Sequence, residues 1–277
     1  MPARRRCQSR AAGGPRQPHR QRLCGHGPIH YNNYYHVEQG RCVKRFWDTA
    51  SCTKTENSYA ILLDNRPIRV PGGAVLNVAS APLAAAIAAE WQAAGGAKGG
   101  EMSFADTPLT RLAGTAQERI DSNRATNITA LAGYAETDLL CYRAESPEPL
   151  VRLQAREWQP WLDWAALTYG APLKVTAGIR YVAQDRQALA ALRAAVAAQN
   201  TLVLAGLGIL VASLGSLVLG LAVTAGALEA NAAHRLGCLD ELFQEEFWGP
   251  DEEALARRLN VATDVEMAAR FISLART

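Results

Sequence analysis

Thirty-five consecutive residues, Ala194 to Leu228, carry no charged side chain, and within them Thr201–Gly226 is almost entirely Leu, Val, Ala, Gly and Ile. A segment of this kind has to leave water, so it either crosses a bilayer or forms the centre of a helical core. Its length and hydropathy qualify it as a span. Three features oppose that reading: no Lys/Arg cluster lies close to its C-terminal end, no Trp or Tyr flanks it, and Gly206, Gly208, Gly215, Gly220 and Gly226 offer small surfaces for close helix packing. The pattern predicts a buried helix over Thr201–Gly226. A membrane-anchored helical protein using residues 201–226 is the competing reading.

The rest of the chain can supply a shell for such a core. Of its 277 residues 49% are hydrophobic and 20% charged, a globular balance with room for one large domain or two small ones. The net charge of +3 is unevenly spread: residues 1–45 carry ten Lys/Arg against Glu38 alone, whereas residues 46–277 carry nineteen basic and twenty-five acidic residues. A mildly acidic body disfavours a general nucleic-acid-binding surface. Residues 1–42 combine Arg4–Arg6, four prolines and four of the five histidines without helical or strand periodicity, and read as a disordered basic leader. A processed targeting segment and an upstream translation artefact are the alternatives there. A metal site from Cys24, His26 and His30 lacks a fourth ligand and a folded frame. The six cysteines form no C-x-x-C pair, which points to reduced thiols and an intracellular compartment.

Residues 44–78 read as a small antiparallel meander: the apolar run Ser58–Leu63, the turn signal Asp64-Asn65-Arg66-Pro67, Ile68–Val70, a Pro-Gly-Gly break and Val75–Val78. A helix follows Ser80 as N-cap, with Pro82 in its first turn, and stops at Gly95-Gly96. Thr107-Pro108 opens another carrying Leu109, Leu112 and Ala113, a further helix runs to about Tyr134, and Asp138–Arg143 reads as a strand. Beyond Pro147 the chain is mostly helical. The expected fold class is α+β: a β-rich N-terminal domain over 43–105, then a larger, mainly α-helical domain over 106–277.

Two helical faces stand out. Trp158, Trp161, Leu162, Ala165 and Tyr169 share a face, read as an aromatic core seam or a ligand-stacking platform, and Pro160 has to start, split or kink that helix. Over Leu228–Gly249, read as one helix, Ala232, Leu236, Leu239, Phe243 and Phe247 form an apolar stripe. His234, Cys238, Glu241, Glu245 and Trp248 fall opposite. That second face is either a solvated acidic face or a partner-binding face, since a Trp anchor is enriched at interfaces and carboxylates orient a partner.

Catalytic signatures are missing. There is no G-x-G-x-x-G after a strand, no Walker A, H-E-x-x-H or G-x-S-x-G motif, and the body has a single histidine, His234, with Cys238 four residues on. Cys and His on one helical face do not make a catalytic site without an oxyanion site and an orienting group. The expectation is a protein without enzymatic activity, with no catalytic residue, metal or cofactor.

KRFWDTASC at 44–52, AILLDNRPIRVP at 60–71, AIAAEW at 86–91, PLTRLA at 108–113, YAETDLLCYRA at 134–144, REWQPWLDWAA at 156–166 and LDELFQEEFWG at 239–249 together resemble one family. It is the assembly chaperone family for the alpha subunit of the F-type ATP synthase catalytic head, found in mitochondria and alphaproteobacteria. The resemblance spans residues 44–274, with the motifs in order. It implies a soluble chaperone without nucleotide or catalysis, which holds unassembled alpha subunit until the beta subunit replaces it. It also implies a monomer, without nucleic acid or stable membrane insertion, working in a bacterial cytoplasm or a mitochondrial matrix. The family's important glutamate precedes a Q-x-x-x-W-G motif, here Gln244 to Gly249, and matches Glu241. Glu241, Gln244, Glu245 and Trp248 are therefore the expected partner-binding residues.

Overall fold

The computed structural model describes residues 42–249 and 251–276, so the leader and its Cys24, His26 and His30 lie outside the described residues. Strands come first: β1 (Val43–Lys44), β2 (Ala50–Lys54), β3 (Tyr59–Leu63), β4 (Arg66–Pro67) and β5 (Asn77–Val78). β2 pairs antiparallel along β3, while β4 and β5 pair with opposite ends of β3. Asp64 and Asn65 both take positive φ (45° and 65°), as a two-residue hairpin turn demands and as Asx side chains tolerate. The Asp64 carboxylate accepts from the backbone N–H groups of Thr49 (2.9 Å) and Asp48 (3.0 Å), and the Thr49 bond above all lowers its pKa.

Helix α1 (Ala81–Ala93) packs on β2 and β3. Ser80 caps it by accepting from the Leu83 N–H at 3.2 Å. Its C-terminal carbonyls meet a buried cation: Arg45, only 3% exposed, donates to the carbonyls of Gln92, Ala94 and Gly96, and also to Trp47 and Asp48. A guanidinium there suits the negative end of the helix dipole and needs no carboxylate. β6 (Glu101–Met102) returns to pair with β1. Helix α2 (Pro108–Thr115) is then capped from outside, because the Glu90 carboxylate on α1 accepts from the N–H groups of Leu109 (2.7 Å) and Thr110 (3.1 Å). A π-helical turn over Ala116–Ile120 follows, and Gln117 there exchanges hydrogen bonds with Val75 and Asn77 of the strand region.

The helical part contains α3 (Arg124–Gly133), α4 (Glu148–Tyr169), α5 (Arg186–Ala197), α6 (Thr201–Leu214), α7 (Leu217–Ala225), α8 (Ala230–Gly237), α9 (Leu239–Trp248) and α10 (Glu252–Arg276). The small antiparallel sheets followed by this larger helical region make the α+β class expected from the sequence. Asp138–Arg143 departs from the expected strand. Asp138 caps a 3-10 turn at Leu139–Cys141, accepting from the Leu140 N–H at 3.1 Å, and only Tyr142–Arg143 (β7) is extended, pairing in parallel with β8 (Thr176–Ala177). α4 runs unbroken through Pro160, which lies on its exposed side.

The charge-free segment is a helical hairpin rather than one helix. Gly215 adopts the left-handed conformation (φ 64°), which ends α6, and Ser216 caps α7 by accepting from the Leu219 N–H at 3.0 Å. Asp138 closes the corner from outside: its carboxylate accepts from the Val218 N–H at 3.0 Å, and the neighbouring Leu139 N–H donates to the Gly215 carbonyl at 3.1 Å. Asp138 is fully buried, and burial pushes its carboxyl up to about 6 despite these donors. Both arms are buried nearly all round. α6 lies against α10, α7, α2 and α8, and two glycines set the approach. A Cβ at Gly206 would stand 2.5 Å from Ile272 Cγ1, and one at Gly220 would stand 2.8 Å from Val211 Cγ2. Among the described residues no helix is long and apolar enough to cross a membrane.

Candidate partner-binding site

α4 positions the C-terminal helices through polar groups that face inward. The indole N–H of buried Trp158 donates to the Leu236 carbonyl at 3.0 Å, in the last turn of α8. The Gln154 amide, 1% exposed, accepts from the Ala144 N–H and donates to Asp240 Oδ1, each at 2.7 Å. Asp240 opens α9, so α4 holds the end of one helix and the start of the next. Arg143 backs this joint, with its guanidinium 5.4 Å from the Trp158 ring centre and 2.7 Å from the Gln154 carbonyl.

Between α8 and α9, Cys238 leaves the helical conformation (φ −109°, ψ 21°). The single helix expected over Leu228–Gly249 is therefore two, and its apolar stripe is redrawn. Ala233 is buried where Ala232 was expected, Leu236 and Leu239 reach the core, Phe243 is half-buried, and Phe247 is 65% exposed. The stripe runs out of the core toward the end of α9, where Phe243 and Phe247 rest on each other at 4.9 Å and Trp248 stands 82% exposed.

Glu241 and Glu245, one turn apart, converge on α10. Glu241 Oε1 lies 3.1 Å from Arg257 Nη2, its Oε2 lies 3.8 Å from Arg258 Nη1, and Arg258 also pairs with Glu245. Arg258 is only 8% exposed, a buried cation bracketed by two carboxylates. Glu241 is half-exposed, although its Oε2 is buried and accepts no hydrogen bond. Gln244 and Trp248 face solvent. The structure thus brings Glu241 and Glu245 together and leaves Gln244 and Trp248 open beside them. Sequence reasoning missed Arg257 and Arg258, and charge balance is the signal that finds them: residues 239–256 hold seven acidic residues and no Lys or Arg, and these two arginines come next.

His234 and Cys238 line a small cleft of about 70 Å³ with Glu241, Arg257 and Arg258. Burial raises the thiol pKa and lowers that of the imidazole, so both groups are neutral near pH 7, and the thiol donates to the His234 carbonyl at 3.0 Å. A protonated thiol spent on a backbone carbonyl is a poor nucleophile. The aromatic face of α4 is structural at Trp158, Leu162 and Ala165, which are buried. Trp161, Trp164 and Tyr169 are half-buried and make edge-on contacts along the helix.

Residues 44–166 match the family described as ATP12 chaperone protein. Among solved structures, Atp12 from Paracoccus denitrificans is similar over 84% of this chain and 98% of its own, at 43% identity and a TM-score of 0.80. A mutant of the same P. denitrificans Atp12p gives 42% identity and 0.81 over the same shares. A candidate chaperone of Agrobacterium tumefaciens is 33% identical, with a TM-score of 0.79 over 85% of this chain and 87% of its own.

Proposed function

The chain belongs to the ATP12 chaperone family, whose members are ATP synthase assembly chaperones, and from that premise we propose that it binds the unassembled alpha subunit of the F-type ATP synthase catalytic head, prevents its aggregation and releases it into the growing complex. The observation that carries this reading is the exposed Trp248, 82% accessible, beside carboxylates held in place by Arg257 and Arg258. An orphan ring subunit exposes an apolar interface that aggregates, and a chaperone covers it with a face apolar at its centre and charged at its rim. Glu241, Gln244, Glu245 and Trp248 form that face in this proposal, and the protein works as a monomer, by binding rather than catalysis, in a bacterial cytoplasm or a mitochondrial matrix. The test is dilution of denatured alpha subunit into buffer with and without this protein, followed by light scattering and co-purification. Suppressed scattering with a recovered complex is expected. Scattering unchanged at equimolar protein removes the alpha subunit as client.

A further inference from the structure

The α9–α10 tip carries more than the four residues named so far. Within three residues of chain, Gly249 to Asp251, α9 ends and α10 begins, so Phe247 and Trp248 close one helix just ahead of the first turn of the next. There Leu255 and Leu259, one turn apart, are 42% and 60% exposed. Four large apolar side chains exposed within thirteen residues of chain, 247 to 259, are unusual for a surface that meets only water. The charges around them are one-sided. Of the seven acidic residues in 239–256, Asp240 is held by Gln154, and Glu241 and Glu245 are paired with Arg257 and Arg258. Glu246, Asp251, Glu252 and Glu253 are exposed and form no ion pair among the described residues.

We propose that this tip is a docking surface for an apolar protein segment flanked by Lys or Arg, with Phe247, Trp248, Leu255 and Leu259 taking the apolar side chains and Glu246, Asp251, Glu252 and Glu253 facing the flanking cations. It rests on the chaperone reading only for the identity of the client. Complementarity favours this occupant, because an acidic partner would meet four unpaired carboxylates and a neutral one would leave them uncompensated at the rim. Glu241 and Glu245 act here as positioning residues, since their pairs with Arg257 and Arg258 tie the start of α10 to α9.

The probes are a short synthetic peptide with a Leu-Phe-Leu centre and Lys flanks, and its twin with Glu flanks, each titrated against the full chain by Trp fluorescence and calorimetry. Wild type is expected to bind the Lys peptide, more weakly as salt rises, and to ignore the twin. The Asp251 carboxylate accepts from the Glu253 N–H at 3.0 Å, so the variant Glu246→Gln/Asp251→Asn/Glu252→Gln/Glu253→Gln keeps that acceptor as an amide and should bind about tenfold more weakly with its melting temperature retained. Leu255→Ser/Leu259→Ser, folded by circular dichroism, should not bind. Equal binding of both twins, or an amide variant indistinguishable from wild type, overturns the proposal. So does a salt-insensitive homodimer that Leu255→Ser/Leu259→Ser dissolves, because the occupant is then a second copy. Capture of alpha subunit is run in parallel with the same variants. If wild type binds the Lys peptide and never alpha subunit, the client is wrong and the surface stands. If all variants capture alpha subunit equally, the surface is wrong and the client stands.

Discussion

At the scale of single residues, buried charge separates those that hold the fold from those that meet a partner. Glu241 is half-exposed and its bonded partner Arg257 is exposed, so Glu241→Gln should cost no more than about 1 kcal/mol. Glu245→Ala removes the main partner of a buried guanidinium and should cost about 3 kcal/mol. Chemical denaturation of the two variants checks that order, and equal losses would contradict it. Asp138 acts on pH. Its folded pKa of about 6 stands above the ordinary 3.8, so its contribution to stability is full below the lower value and is lost as pH rises through the upper one. The stability of wild type relative to Asp138→Asn should therefore fall by about 2 kcal/mol between pH 4 and pH 7. Glu90 and Asp264, whose carboxyls burial also raises, are common to both proteins and cancel in that difference. Urea unfolding at a series of pH values reads it, and a pH-independent difference would mean that Asp138 titrates normally.

At the scale of elements, the sequence was most legible where local chemistry decides. Ser80 before Pro82 and the apolar run Ser58–Leu63 carry their own signal and give the capped helix and the strand Tyr59–Leu63, whereas the turn read over Asp64–Pro67 closes within Asp64-Asn65 and Arg66–Pro67 already pair as a strand. It was least legible where a distant group decides. Nothing near Gly215 says that Asp138 will cap the helix after it, and nothing near Leu239 says that Gln154 will take the first acid of α9. A helical wheel assumes one uninterrupted helix, so the turn at Cys238 put Ala232 and Phe247 in the wrong place. Of the candidate site, the residue types were readable, whereas the arginines that fix them came from the next helix. The hairpin also yields a packing prediction. Gly206→Val would force a side chain into Ile272 and should destabilise by about 1–3 kcal/mol, whereas Leu210→Asp, placing a charge at a position 0% exposed, should give no folded protein. Folded, soluble Leu210→Asp would remove α6 from the core.

At the scale of the molecule, sheet and helices share one apolar cluster running from Trp47 to Ala275. The joints across it are polar and specific: Ser80 donates to the Leu274 carbonyl, Glu90 caps α2, and Gln117 reaches Val75. Residues 43–105 should therefore not unfold apart from 106–277. Differential scanning calorimetry is expected to show one transition with matching calorimetric and van't Hoff enthalpies, and two resolved transitions would separate the parts. The corner at Gly215 and Ser216 has one more consequence, for how the nascent chain is sorted. Its arms of fourteen and nine residues reach about 21 and 14 Å, both short of a hydrocarbon layer of about 30 Å. Insertion machinery that meets the bent chain meets two stretches, each below its threshold. Gly215→Ala with Ser216→Leu removes both the left-handed residue and the cap, and would join the arms into a greasy rod of about 37 Å. The repaired chain should then resist carbonate extraction from membranes while the natural one is washed off, so the same hydrophobic letters would address the protein to a different compartment.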